Sequence, residues 1–325
     1  MKKLSLTLLL GLALIGAPQQ AGAEPIRLTA AAGPVAGTSY VGLGALCKLI
    51  TNAHPDANVN LIPGSDVSNP MRIQNREVDI ACETVCISKS AVDGTEPFRK
   101  PVGNILSLAN LRTEALLNIV VRADSGITSI EQIRERKIPL RVGPGPRGSV
   151  TQLAFEWVLN EYGITFDDIK DWGGKIYNNN FNDVSDMAKD GQVDMVVWLG
   201  PGEAWFLTEL SANVPLRWLP VSEAAAEAVN RKHMLYTGEF PAAMFKGMMG
   251  RNTRTVGTWM SLIVREDMSN DTAYELTRAL CEGREDVITA CPQWATFTPE
   301  TAWNGMPHPL HPGAERYYRE KGYMK

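Results

Sequence analysis

The residues best suited to binding chemistry lie between Ile138 and Leu159. Residues 138–142 (IPLRV) are apolar with β-branched ends and read as a strand. GPGPRGSVT follows, a Gly/Pro loop that closes on Gly148, Ser149 and Thr151. Beyond it Val150, Leu153, Ala154, Trp157 and Val158 share one helical face, and Tyr162-Gly163 ends the helix. A strand feeding such a loop into a helix start presents N–H groups without backbone partners, together with partial positive charge. That is the chemistry of anion binding. Arg147 beside it either clamps a carboxylate bidentately or lies solvated at the surface.

Other chemistries find less support. Gly143, Gly145 and Gly148 fit G-x-G-x-x-G, but Pro144 and Pro146 each remove an N–H that a pyrophosphate would need. No Lys-Ser or Lys-Thr follows, so the loop is no P-loop, and no cofactor is expected. None of His54, His233, His308 and His311 sits in H-E-x-x-H. His308 and His311 share H-x-x-H spacing, yet Pro307, Pro309 and Pro312 exclude a regular helix there, and no metal site is expected. There is no G-x-S-x-G and no C-x-x-C. Ser39 and Ser149 lack a local His partner, although triads are assembled in space. Asp167-Asp168 and Glu266-Asp267 read as solvated acidic pairs. Nothing in this inventory demands an enzyme. The five cysteines are an odd number in a large chain, so they form no disulfide scaffold. Cys82–Cys86 and Cys281–Cys291 are the local candidates for bridges, with buried free thiols the alternative.

The elements that must position the loop repeat its logic. Residues 26–31 read as a strand, then GPVAGTSYVGLGALCKLI as a Gly loop and a helix. Thr38 or Ser39 would be its N-cap, and Leu43, Leu46, Leu49 and Ile50 its buried face. VNLIPGSDVSNP reads as a strand, a Gly-Ser loop, and Asn69-Pro70 as N-cap and first helical residue, before a return strand at 77–81. Three strand–Gly/Ser loop–helix units aim hydroxyl and amide donors at one small anionic or polar ligand. VDMVVWLGP reads as a further buried strand. Trp198 near its carboxyl end is a wall residue of a ligand cleft or a core aromatic. NIVVRADS (118–125) and SLIVREDMS (261–269) echo each other and read as two strands crossing between domains. The expected division is a discontinuous first lobe, 24–117 and 258–325, and a second lobe, 118–257. Residues 163–175 read as loop and 312–321 as a terminal helix, with Glu315 and Arg319 spaced i,i+4.

Residues 1–23 read as a cleavable secretory signal: Lys2 and Lys3, an apolar run from Leu4 to Ile15, then Ala21-Gly22-Ala23. Losing the two lysines leaves 30 basic against 36 acidic residues, and this mild acidity gives no nucleic-acid footprint and no polybasic patch. Cleavage leaves a chain of about 300 residues, enough for two domains, expected in a bacterial periplasm.

GTSYVGLGALCKLI, GSDVSN, EVDIACET, LLNIVVRADSGITSIEQIRERKIPLRVG, GPRGSVTQLAFEWVLNEYGI, DGQVDMVVW and the terminal LHPGAERYYREKG together resemble one family across the mature chain. It is the TAXI family, the periplasmic solute-binding subunits of one branch of the tripartite ATP-independent (TRAP) transporters. The resemblance implies an α/β, type II periplasmic-binding-protein fold, two lobes flanking a ligand cleft and joined by crossing strands. It implies a monomer that passes a small organic acid or amino-acid-like solute to an ion-gradient-driven TRAP permease. In the terminal motif His311 reads as structural. The chain departs from the family pattern at three places. Cys82 and Glu83 stand where an apolar residue and Gln are usual, and Glu83 is protonated, faces a ligand amine or points away. Met244 and Phe245 in FPAAMFKG replace a hydroxyl-bearing pair and suggest a more apolar wall. The family seldom demands Arg at position 147.

The expected ligand contacts are Gly37, Thr38, Ser39 and Tyr40, with Ser65, Asn69, Glu83 and Thr84, from the first lobe. Arg147, Gly148, Ser149, Thr151 and Trp198 are those from the second. The alternatives are a ligand-sensing receptor for a membrane sensor kinase, or an exported enzyme on a similar two-lobe fold.

Overall fold

A computed structural model describes residues 25–35, 37–201, 203–242, 244–245 and 252–325, so the expected signal segment at 1–23 lies outside the described residues. The first part of the chain alternates strand and helix. β1 (Arg27–Ala32) leads to α1 (Thr38–Ala53), β2 (Asn58–Pro63) to α2 (Ser68–Gln74), and β3 (Ile80–Thr84) directly to α3 (Val85–Asp93); β4 (Ile105–Asn110) follows. The chain then builds a second sheet with β5 (Ala115–Arg122), α4 (Glu131–Glu135), β6 (Arg141–Gly143), α5 (Val150–Glu161), α6 (Phe166–Asp171) and β7 (Lys175–Ile176). α7 (Phe181–Lys189), β8 (Met195–Pro201), α8 (Trp205–Asn213), β9 (Leu216–Trp218), α9 (Glu223–His233), β10 (Tyr236–Phe240) and β11 (Thr253–Thr258) complete it. β12 (Met260–Arg265) returns to the first sheet, ahead of α10 (Asn270–Glu282), α11 (Arg284–Ala290) and α12 (Pro312–Glu320).

The first sheet has the order β2-β1-β3-β12-β4, and the second runs β10-β11-β5-β8-β6-β7 with β9 paired to β5. Strands such as IACET in β3 are buried along their whole length, because helices cover both faces of the sheet. One face packs Leu43, Leu46 and Ile50 of α1 with Trp294 and Tyr318. The other packs Ile73 and Ile87, and this cluster continues through Leu117, Ile119 and Val158 of the second half. There α3 meets α9. Among the described residues no helix is long and apolar enough to cross a membrane.

Register fixes where the strands end. β1, β2 and β3 are parallel, and β12 runs antiparallel to β3 and β4. Ala32, Pro63, Thr84 and Asn110 therefore finish on one edge, where β12 begins with Met260 opposite Thr84 and Ser261 opposite Asn110. In the second sheet Ala115 opens β5 opposite Pro201 of β8 and Thr258 of β11. β6 runs parallel to β8 and to β7, so Gly143 and Ile176 end on that edge too. The chain passes between the sheets at residues 111–114 and again at Trp259. Each carboxyl edge thus adjoins both passages.

Several local expectations change. The echoing segments do not cross: they form β5 and β12, one in each sheet and each the first strand after a passage. The boundaries expected at 117/118 and 257/258 fall inside β5 and β11. Residues 163–175 contain α6, whose Thr165 and Asp168 form a reciprocal capping box, so Asp168 is a helix-starting residue. All five cysteines are free.

Candidate functional site

At the edge of the first sheet the polar residues divide into those that bind the loops together and those left at the surface. Gly37, not Thr38 or Ser39, is the N-cap of α1, and its N–H donates to Pro34 O at 2.9 Å. Ser39 instead turns its hydroxyl back to accept the Gly33 N–H at 3.0 Å, which tightens the loop after β1. Tyr40 leans onto β2, donating to Leu61 O at 3.4 Å. Thr38 stays half-buried at the helix start. Ser65 is exposed and shares hydrogen bonds with Ser68, whose N–H donates to Ser65 Oγ at 3.2 Å.

Asn69 does not cap α2, which starts one residue earlier and turns the side chain inward. Its Nδ2 donates to Ala32 O at 3.4 Å and to Cys82 O at 3.1 Å, tying the carboxyl ends of β1 and β3 together. Thr84 is buried as the N-cap of α3, and its N–H donates to Asp66 Oδ1 at 2.7 Å. Asp66 was not singled out in the sequence. Its signal was an acid inside the Gly-Ser loop GSDVSN, directly beside Ser65, which was.

Glu83 points away from the edge. Strand alternation sends it to the face of Ala81, beneath the sheet, where it is 1% exposed. Ser88 Oγ donates to Glu83 Oε1, while Oε2 finds no partner among the described residues. Ser261, directly opposite in register, also leaves its buried hydroxyl unpartnered. Burial, and then the nearby Asp66, push the Glu83 carboxyl well above the usual range, and burial likewise raises Asp66. The carboxyl faces inward, and burial without a counter-ion favours its uncharged form.

The second edge carries the loop on which the sequence centred. Gly145 and Gly148 adopt positive φ, 80° and 74°, which lets the chain turn from β6 into α5. Ser149 caps α5 by accepting the Gln152 N–H at 3.3 Å, and its own N–H donates to Pro146 O at 3.1 Å. The Gly148 N–H donates to Gln152 Oε1 at 3.0 Å. Helix geometry leaves the Val150 and Thr151 N–H groups directed out of the helix end. The Thr151 hydroxyl is buried and accepts from Leu199 N at 3.2 Å, so it joins α5 to β8. Arg147 is exposed and lines a groove of about 350 Å³ beside Gln152, Glu156, Asp167, Lys170 and Asn178, between α5 and α6.

Trp198 is half-buried, edge-on to Phe206 with centroids 5.8 Å apart. Phe245 belongs to the core of the second half, stacked on Trp218 at 4.7 Å, and Met244 packs partly against the same cluster. His311 is the N-cap of α12: its Nδ1 accepts from Gly313 N at 3.0 Å, and Nε2 meets Met268 O at 3.0 Å. It is structural, as read from the terminal motif.

The two passages are fastened together between these edges. Val85 N donates to Trp259 O at 2.9 Å, and Cys86 N to Thr258 Oγ1 at 3.2 Å, so the return passage satisfies the first N–H groups of α3. The Arg112 guanidinium lies over the Trp259 ring at 4.4 Å, and Tyr236 stacks on it at 4.6 Å. One passage thus clasps the other.

The model of the NMT1-like family matches residues 30–322. Among solved structures, PhnD1 from Prochlorococcus marinus (MIT 9301), in complex with methylphosphonate, is 14% identical. Its TM-score is 0.54 over 92% of this chain and 100% of that one. XAC2383 from Xanthomonas citri, bound to chloride ion, is 14% identical with a TM-score of 0.53, covering 90% of this chain and 95% of that one. At such identities the likeness is one of fold, and the expected α/β periplasmic-binding-protein architecture is borne out.

Proposed function

We propose, on the premise that this chain belongs to the NMT1-like family, that it is a periplasmic receptor for a small organic acid or amino-acid-like solute. Each sheet with its helices acts as one lobe, and the solute lies between the carboxyl edges. The observation that carries this reading is that both edges adjoin the same two passages, each with a capped helix start: Gly37–Thr38 on one side and Ser149–Val150 on the other. Two helix ends meeting across a gap supply donors and partial positive charge to an acid. The solved neighbours hold a phosphonate and a chloride ion, which fits the same polarity.

In this reading Thr38 and Ser65 donate from the first lobe, and the Ser149 hydroxyl and the Val150 and Thr151 N–H groups from the second, with Gly148 shaping the turn and Arg147 able to swing over the loop. Asn69, Glu83 and Thr84 shape the edge from beneath, and Trp198 backs the second wall. Closure of the lobes about the passages excludes water from the ligand. The resemblance to the TAXI family names the partner as a TRAP permease, and the activity is binding, not turnover.

The test is a thermal-shift screen of the chain from Glu24 against small mono- and dicarboxylates, amino acids and neutral analogues. A ligand that binds only the folded state raises the midpoint. Acids should shift it, and recovery of intact ligand after long incubation separates a receptor from an enzyme. Shifts with neutral compounds alone would overturn the acid assignment.

A further inference from the structure

Among the described residues the large hydrophobic side chains left exposed are Val35, Val41, Val92 and Trp205, and the two most open are Val35 at 65% and Trp205 at 63%. These two come from opposite edges. Val35 lies in the loop after β1, and Trp205 opens α8, four residues past Pro201, which register places beside Ala115 at a passage. Trp205 is also the outermost ring of an aromatic cluster. It meets Phe206 edge-on at 6.2 Å; Phe206 stacks on Phe181 at 5.5 Å and takes Trp198 edge-on at 5.8 Å. Phe181 in turn lies beneath the anion-binding loop, since a Cβ on Gly145 would sit 2.5 Å from its ring. The rings therefore form a ledge that supports the loop and ends in an uncovered indole. A tryptophan is a large apolar group, and one held open at the lip of a polar site is suited to covering something flat.

We infer that Trp205 is a ligand-facing platform and that the solute is an aryl carboxylate, its acid at the Ser149–Thr151 helix start and its ring on the indole. Val35 closes on the other face of the ring when the lobes approach. This inference rests on the receptor reading and adds the class of solute to it. Neither Trp205 nor Val35 was singled out from the sequence.

The experiment measures affinities of phenylacetate, benzoate, acetate and succinate for the chain from Glu24, by calorimetry and tryptophan fluorescence, for wild type, Trp205→Ala and Trp205→Phe. Wild type should prefer phenylacetate over acetate by at least about tenfold, the scale of one good aromatic contact. Trp205→Ala should lose about that factor for phenylacetate and none for acetate, and Trp205→Phe should keep most of it. Because the side chain is exposed, the thermal midpoint of the free variant should match wild type. Unchanged phenylacetate affinity in Trp205→Ala overturns the platform, as does an equal loss for every acid. Binding of acetate and succinate without any response to aryl acids overturns the solute class while leaving the receptor reading intact. Failure of all four acids to bind overturns the solute class, and the receptor reading falls with it only if the amino acids and other compounds of the thermal-shift screen fail as well.

Discussion

Asn69 and Gly64 form the contact whose perturbation follows most directly from geometry. A Cβ added to Gly64 would lie 2.2 Å from Asn69 Oδ1 and 2.8 Å from Ala32 O, well inside ordinary contact distance. In Gly64→Ala the loop carrying Ser65 and Asp66 must move by about 1 Å, and such overpacking costs about 1–3 kcal/mol. Asn69→Ala removes two donor bonds, at 3.1 and 3.4 Å, each contributing about 0.5–1.5 kcal/mol, but it also removes a buried oxygen without a partner. Those two terms offset, so the single variant should lose only about 1 kcal/mol. In the double variant the 2.2 Å clash is gone and only Ala32 O remains in the way. Gly64→Ala should then cost about 1 kcal/mol or less, giving a favourable coupling of about 1–2 kcal/mol between the sites. Any change in unfolded-chain entropy from Gly to Ala is common to both backgrounds and cancels. The assay is urea unfolding of the four proteins at pH 7, followed by circular dichroism. Additivity within about 0.5 kcal/mol would refute the placement of the Asn69 amide against Gly64.

Further outcomes follow from other buried groups. Glu83 has a folded-state carboxyl raised above its unfolded value, so the folded chain keeps a proton that the unfolded chain loses above about pH 4.3. Stability drawn from this group is present at low pH and is lost as pH rises. Glu83→Gln should therefore gain progressively on wild type as pH rises above about 4.3, and parallel midpoint curves would exclude a raised carboxyl. Ser149→Ala removes the N-cap of α5 and should cost about 1 kcal/mol in urea, with Ser149→Asp recovering most of it. Burial pushes the thiols of Cys47, Cys86 and Cys281 up to about 12 and raises those of Cys82 and Cys291. An aromatic disulfide reagent should therefore find almost no reactive thiol in the native chain and five after unfolding; three or one would mean that bridges form.

The layout of strands, loops and helix starts was largely readable from residue pattern. Glycine beside serine or threonine after an apolar run marked the loops following β1, β2 and β6, and the helix after Ser149 was visible from the spacing of its apolar face, although the capping role of Ser149 was not. What pattern could not supply was direction. Asn69-Pro70 has the signature of a helix start, yet α2 begins at Ser68, two residues before Pro70, and that shift turns Asn69 from a surface cap into a buried tie. Glu83 lies one residue from the end of β3, so its face depends on register with β12, nearly 180 residues later in the chain. Cys82 and Cys86 are four apart, but β3 gives way to α3 between them and the thiols remain separate. Trp205 escaped notice because an isolated tryptophan at a helix start resembles core, and only the accessible surface distinguishes it.

The place of β12 has a consequence for how the molecule comes into being. β12 is the strand between β3 and β4, and among the described strands β4 pairs with no other. Its residues are made after the whole second sheet, so a chain emerging from the ribosome or through a translocation pore holds β1–β3 and β4 as separate pieces. These stay separate until Met260–Arg265 has followed. The first sheet is therefore the later of the two to be completed, although it begins first. A chain cut short before Met260 would leave a sheet open at its centre, with the unpaired edges of β3 and β4 available to chaperones, proteases or other copies.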